Sequence, residues 1–146
     1  ALKLSIEAIE TPGEGYINDY QYTIKKLKLK KVLILPSDLP LINNETIREI
    51  VDYYASSNKP ALSVMVPLEL FKKLNLTPEY IFNVNGVLVS PVGVNIVDGE
   101  RIDEPFIEQE VLILNKVELA VNVNTIEDLK VAAQFLHKKE KFLIKK

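Results

Sequence analysis

Two apolar periodicities alternate along the chain. Ile17, Tyr20, Ile24 and Leu27 recur at spacings of three and four, which predicts a helix over Tyr16–Leu27 with one buried stripe. Ile47, Ile50, Val51 and Tyr54 do the same for a second helix, opened by Asn44 as N-cap. Leu129, Ala132, Ala133 and Leu136 supply the inner face of a last helix, with Thr125 and Asp128 placed as a capping box. Between these lie short, continuously apolar runs: Val32–Leu35, Ala61–Val66, Val111–Leu114 and Leu119–Val123. Such runs suit strands covered on both faces. Leu4–Ile9 reads as a further short strand, and Pro67 opens a short helix through Leu74. From Tyr80 to Val97 the pattern breaks into Ile81–Val84, Val87–Ser90 and Val92–Val97, with Asn85-Gly86 as a hairpin turn. Strands alternating with helices predict a single α/β domain with a mainly parallel sheet and at least one antiparallel strand.

Composition narrows this picture. With 146 residues, one domain is expected, and 47% apolar residues suffice for a core. The formal charge of −2 gives no reason to expect a nucleic-acid partner. No apolar run approaches the roughly 20 residues of a membrane span, and the absence of cysteine rules out disulfides and thiolate metal sites. A cytoplasmic setting is the expectation.

Chemistry is expected where strands end, because open α/β sheets bind ligands beyond the carboxyl ends of their strands. Asp38 follows Val32–Leu35 directly, bracketed by Pro36 and Pro40, which stiffen the backbone. A carboxylate on a stiff turn suits Mg²⁺, which takes one or two protein carboxylates with phosphate oxygens and water. Asp38 could equally do no more than end its strand. Asn122 and Asn124, before the last helix, offer amide oxygens to a hard cation, in a segment where capping alone accounts for Asn and Thr. Gly13 and Gly15 precede the first helix and allow close backbone approach, or simply a turn. His137 stands among lysines near the end of the last helix, where a solvated cation is the simplest reading.

Four segments occur together and in order: Leu35-Pro36-Ser37-Asp38-Leu39-Pro40-Leu41, residues 11–16 (Thr-Pro-Gly-Glu-Gly-Tyr), residues 91–97 (Pro-Val-Gly-Val-Asn-Ile-Val), and Asn122-Val123-Asn124-Thr125-Ile126-Glu127-Asp128-Leu129. In this the chain resembles the archaeal GTP:adenosylcobinamide-phosphate guanylyltransferases, relatives of the molybdenum-cofactor guanylyltransferases and sugar-phosphate nucleotidyltransferases. The resemblance covers nearly the whole chain. It implies a Rossmann-like nucleotidyltransferase sandwich that transfers a guanylyl group from GTP to a phosphorylated small-molecule acceptor. It further implies Mg²⁺ held by Asp38 and Asn124, with Asp38 catalytic. Gly13, Gly15, Tyr16 and Ser37 would lie at the nucleotide, and Gly93 and Asn95 at the ribose or acceptor. A different acceptor, or nucleotide binding without catalysis, are the other readings.

One departure from the family has consequences. Its members begin with a strand and a glycine-rich loop carrying Arg and then Lys, which wraps the triphosphate. This chain has no such segment, so about the first quarter to third of a domain of typical size is expected to be missing. The 146-residue chain alone is then expected to bind GTP poorly and not to turn over. The uncovered sheet edge leads to the expectation of a homodimer or a swapped association.

Overall fold

The computed structural model describes residues 6–143, with side chains as far as Leu136. Its elements in order are α1 (Tyr16–Leu27), β1 (Lys31–Ile34), α2 (Asn44–Ser56), β2 (Ala61–Pro67), α3 (Leu68–Lys73), β3 (Phe82–Val84), β4 (Val87–Asp98), β5 (Gln109–Ile113), α4 (Val117–Ala120) and α5 (Ile126–Leu143). The helix bounds follow local chemistry. Lys28 in the left-handed conformation ends α1, its N–H returning to Ile24 and Lys25. The α2 cap is Asn43 rather than the expected Asn44: the Asn43 side chain accepts from the Thr46 N–H at 3.0 Å. The expected capping box of α5 forms, the Thr125 hydroxyl accepting from the Asp128 N–H and the Asp128 carboxylate accepting from the Thr125 N–H.

The sheet order is β1-β4-β2-β5, with β3 also paired to β4. β4 runs antiparallel to β1, β2 and β3, while β2 and β5 are parallel. Four strands therefore share one direction. The single reversed strand lies inside the sheet rather than at its edge, so just one neighbouring pair is parallel. β4 is one continuous strand where the sequence pattern suggested two. Pro91 and Gly93 do not break it but mark a bulge. From the Ser63–Asn95 pair to the Met65–Pro91 pair, β2 advances past Val64 alone while β4 passes Val92, Gly93 and Val94.

Alternation along the strands sorts the core into two layers. Leu62, Val64, Val66, Val94 and Ile96 face the larger apolar cluster, which α2, α3 and α4 cover through Ile50, Tyr54, Leu70, Phe71 and Leu119. Ala61 and Val97 face a smaller cluster, closed by Ile24 of α1 and Ile102.

Several expectations fail here. Leu119–Val123 is not a strand: α4 occupies its start, and Val121 leaves that helix with extended backbone. A short apolar run has no period that separates the two states. The Leu4–Ile9 strand does not form over residues 6–9, and Leu4 and Ser5 lie outside the described residues, as do the side chains of His137 and of the basic tail. Four residues assigned to buried stripes are exposed: Ile17, Leu27, Val51 and Leu129. Leu136 is exposed too, leaving Ala132 as the buried residue of the α5 face.

Candidate active site

β1 and β3 pair with the same edge of β4, but not end to end. β1 stops at the Ile34–Asn95 pair, and β3 begins at the Phe82–Val89 pair. Residues Ser90–Val94 of β4, the bulged stretch, border the notch between them. A cleft of about 650 Å³ opens there, within the size range of small-molecule sites. Asp38 and Pro36 enter from the turn after β1, Ser90–Gly93 from β4, and Asn122, Asn124 and Thr125 from the segment before α5.

The Asp38 turn is held on three sides. Behind it, Leu39 is buried in the larger core and the Ile42 N–H returns to the Leu39 carbonyl. Below it, Gly93 packs on Pro36: a β-carbon at Gly93 would stand 3.2 Å from Pro36 Cγ, and its φ of +74° is already one that side chains avoid. Beside it, the Val123 N–H donates to the Asp38 carbonyl at 2.9 Å. This bond sets the segment carrying both asparagines alongside Asp38. Asn122 is half-buried and Asn124 exposed, and both line the cleft, so position does not choose between them.

Tyr16 reaches the site from α1. Its hydroxyl donates to the Gly93 carbonyl at 3.4 Å, and Asn95 Nδ2 donates to the same carbonyl at 3.1 Å. Partial burial, with Tyr20 and Asp38 nearby, raises the Tyr16 phenol above its ordinary range against a lowering hydrogen bond with Asn95. The phenol is therefore a neutral donor at neutral pH.

The remaining expected residues stand further out. Gly13 and Gly15 both have positive φ with open space around them, so conformation rather than crowding selects glycine. The Gly13 N–H is taken by the Asp19 carboxylate at 2.9 Å, which is the bland turn reading. Ser37 is exposed and, like Gly13, Gly15, Tyr16 and Asn95, is outside the cleft lining.

The sequence reading missed one wall. Asn75–Tyr80, after α3, also line the cleft, with Phe71, Leu119 and Ala120 as apolar lining. The left-handed Asn75 and the Thr77-Pro78 pair are signals of a fixed turn that could have drawn attention to it. Among the described residues the lining carries the carboxylates of Asp38, Glu79 and Asp128 and no Lys or Arg. Asp128 is already engaged by the Thr125 backbone and hydroxyl. Among the described residues no group of three His, Cys, Asp or Glu side chains is placed to hold a metal, and no helix is long and apolar enough to cross a membrane.

This layout is an α/β sandwich of Rossmann-like type. The fold is shared with a solved protein described as a hypothetical transferase from Thermus thermophilus. That protein superposes with a TM-score of 0.63 over 80% of this chain and 70% of its own, at 13% identity. Sequence similarity is more particular. The chain is 31% identical over 139 residues to the adenosylcobinamide-phosphate guanylyltransferase of Methanocaldococcus jannaschii, covering 92% of this chain and 64% of that protein. The two are relatives over this span, and the chain spans just under two thirds of the relative's length. No protein-family model matches the chain.

Proposed function

We propose that this chain belongs to a nucleotidyltransferase that moves a guanylyl group from GTP to adenosylcobinamide phosphate, releasing pyrophosphate. The observation that carries the reading is the cleft in which Asp38 and the Asn122–Asn124 segment are bonded together, in a chain related over nearly its full length to a guanylyltransferase. An acceptor phosphate oxygen attacks the α-phosphorus of GTP. A new P–O bond forms, the bond to the β-phosphate oxygen breaks, and its electron pair leaves on pyrophosphate. Such a step needs in-line placement and neutralised charge more than covalent help from protein.

The donor set fits Mg²⁺: one free carboxylate, amide oxygens, and room for water and phosphate oxygens. Asp38 and Asn124 would hold the ion, which when bound offsets phosphate charge. Gly93 lines the cleft, and Asn95 and the Tyr16 hydroxyl donate to its carbonyl from just outside the lining; in this reading the three meet ribose or acceptor hydroxyls. Gly13, Gly15 and Ser37 border the nucleotide in this reading. The exposed edge of β1 is the surface through which a homodimer or swapped association would form.

In the test, the full gene product is mixed with GTP, adenosylcobinamide phosphate and MgCl₂, and pyrophosphate release and product mass are followed. Asp38→Asn should lower the rate on the order of a hundredfold or more while leaving the fold intact. A variant as fast as the wild type would overturn the assignment of Asp38. The 146-residue chain by itself should bind GTP weakly in calorimetry, because no described cleft residue is a cation.

A further inference from the structure

One partly buried carboxylate plays no part in the cleft. Glu118, at the second position of α4, turns its carboxylate away from the cleft and toward the start of α2. Its Oε1 accepts from the Thr46 hydroxyl at 2.6 Å and from Asn43 Nδ2 at 3.1 Å. Thr46 is fully buried, and its hydroxyl also accepts from Lys116 Nζ at 3.3 Å. Asn43 is at the same time the cap of α2.

The positions of these bonds in the chain matter more than their number. Asn43 follows Asp38 after Leu39–Ile42, a tight and partly buried turn. Glu118 precedes Asn122 after Leu119, Ala120 and Val121, each at most 1% exposed, and the Val121 N–H returns to Val117. The two stretches, 38–46 and 118–123, are therefore stapled twice: by Glu118 to Asn43 and Thr46 at one end, and by the Val123–Asp38 bond at the other. Both linkers are short and packed, so displacement at one staple must be carried to the other. An apolar pair of similar volume would hold α2 to α4 about as firmly. A charged acceptor with two aimed donors fixes their register instead.

We propose that Glu118 is a positioning residue for the cleft, stapling α2 to α4 so that Asn122 and Asn124 are held beside Asp38; this rests on the reading of Asp38 as a metal ligand. Outer-shell partners of this kind change metal affinity without touching the metal. The test measures two things on wild type, Glu118→Ala, Glu118→Gln and Thr46→Val: Mn²⁺ affinity, and the hydrogen-exchange rate of the Val123 amide. Glu118→Ala should weaken Mn²⁺ binding roughly tenfold and speed Val123 exchange, while the Leu62 and Ile96 amides of the paired sheet stay unchanged. Glu118→Gln keeps an acceptor oxygen and should recover part of both effects. Thr46→Val, nearly the same size, carries the test if the alanine variant does not fold. Unchanged Val123 exchange in the folded variants overturns the proposal, as does loss of protection spread evenly over the sheet. Asp38→Asn separates the two readings: if it leaves Mn²⁺ binding intact, the metal assignment fails, and Val123 exchange still decides the staple.

Discussion

The two faces of the sheet are built to different standards. On the α2 side a deep cluster runs from Tyr54 to Phe71, and the turn carrying Asp38 is anchored in it through Leu39. On the α1 side a small cluster gathers around Ile24, while Ile17 and Leu27 of the same helix stay exposed at 58% and 40%. A groove lined by Tyr20, Ile24, Leu33 and Leu35 runs between α1 and β1, and β1 is the edge of the sheet. The Asp38 side of the cleft thus belongs to the well-packed face. The Tyr16 side reaches it from the thinly packed face through a long hydrogen bond to the Gly93 carbonyl and a contact with Asn95. The Asp38 side therefore has its own packed support, and the α1 side has little.

This contrast can be broken by substitution. Ile50→Ala, at a fully buried position of α2, should lower stability by about 2–5 kcal/mol, the range for emptied core sites. Ile17→Ala on α1 should change it by no more than about 0.5 kcal/mol. Equal losses in urea melts would show that α1 is as well packed as α2. Next in size is Gly93→Ala. It forces a side chain into a left-handed backbone, at about 1–2 kcal/mol, and drives Cβ against Pro36. Its effect on Mn²⁺ affinity should exceed its effect on melting temperature, since Pro36 carries the Asp38 turn. A smaller effect is expected at the β1 edge. Light scattering at high concentration should find dimers, and Leu35→Lys in the α1–β1 groove should shift them toward monomer. A clean monomer at every concentration would show that the thin face needs no partner.

Much of this was legible in the sequence where local chemistry decides. The α1 bounds, the Asn85-Gly86 turn and the Thr125–Asp128 capping box rest on neighbours within one turn, and each formed as read. Asp38 was legible because a continuously apolar strand and two prolines point to a strand-end turn, although β1 is a half-exposed edge strand and not one covered on both faces. What could not be read depends on distant partners. Residues 87–98 stay one strand because β1, β2 and β3 all pair with it, so Pro91 and Gly93 become a bulge and not a break. Leu119–Val123 turned into helix and loop because its apolar residues pack under α2 and α3. Leu129 and Leu136 have the spacing of a core stripe, yet among the described residues only Ala132 of that stripe is buried. Glu118 carried no signal at all, its partners Asn43 and Thr46 lying more than 70 residues away.

The smallest effect expected is also the one that probes the better-built face by pH alone. Burial acts to raise the Glu118 carboxyl, but hydrogen bonds from Thr46, its own backbone and Asn43, with Lys116 nearby, outweigh it and hold it below its ordinary value. Lys116 is in turn paired with Glu49 at 2.6 Å, a contact that helps keep it charged. Because the folded-state value is depressed, the charged carboxylate stabilises the fold above the unfolded value of about 4.3 and loses this as pH falls through the lower folded value. Glu118→Gln has no charge to lose. The stability gap between wild type and Glu118→Gln should therefore be full near neutrality and narrow below about pH 4. Urea melts of both proteins at about pH 7 and about pH 3 measure it. A gap that holds its size at the acid end would mean that Thr46 and Asn43 bind the neutral acid as well as the anion, and that the staple owes nothing to charge.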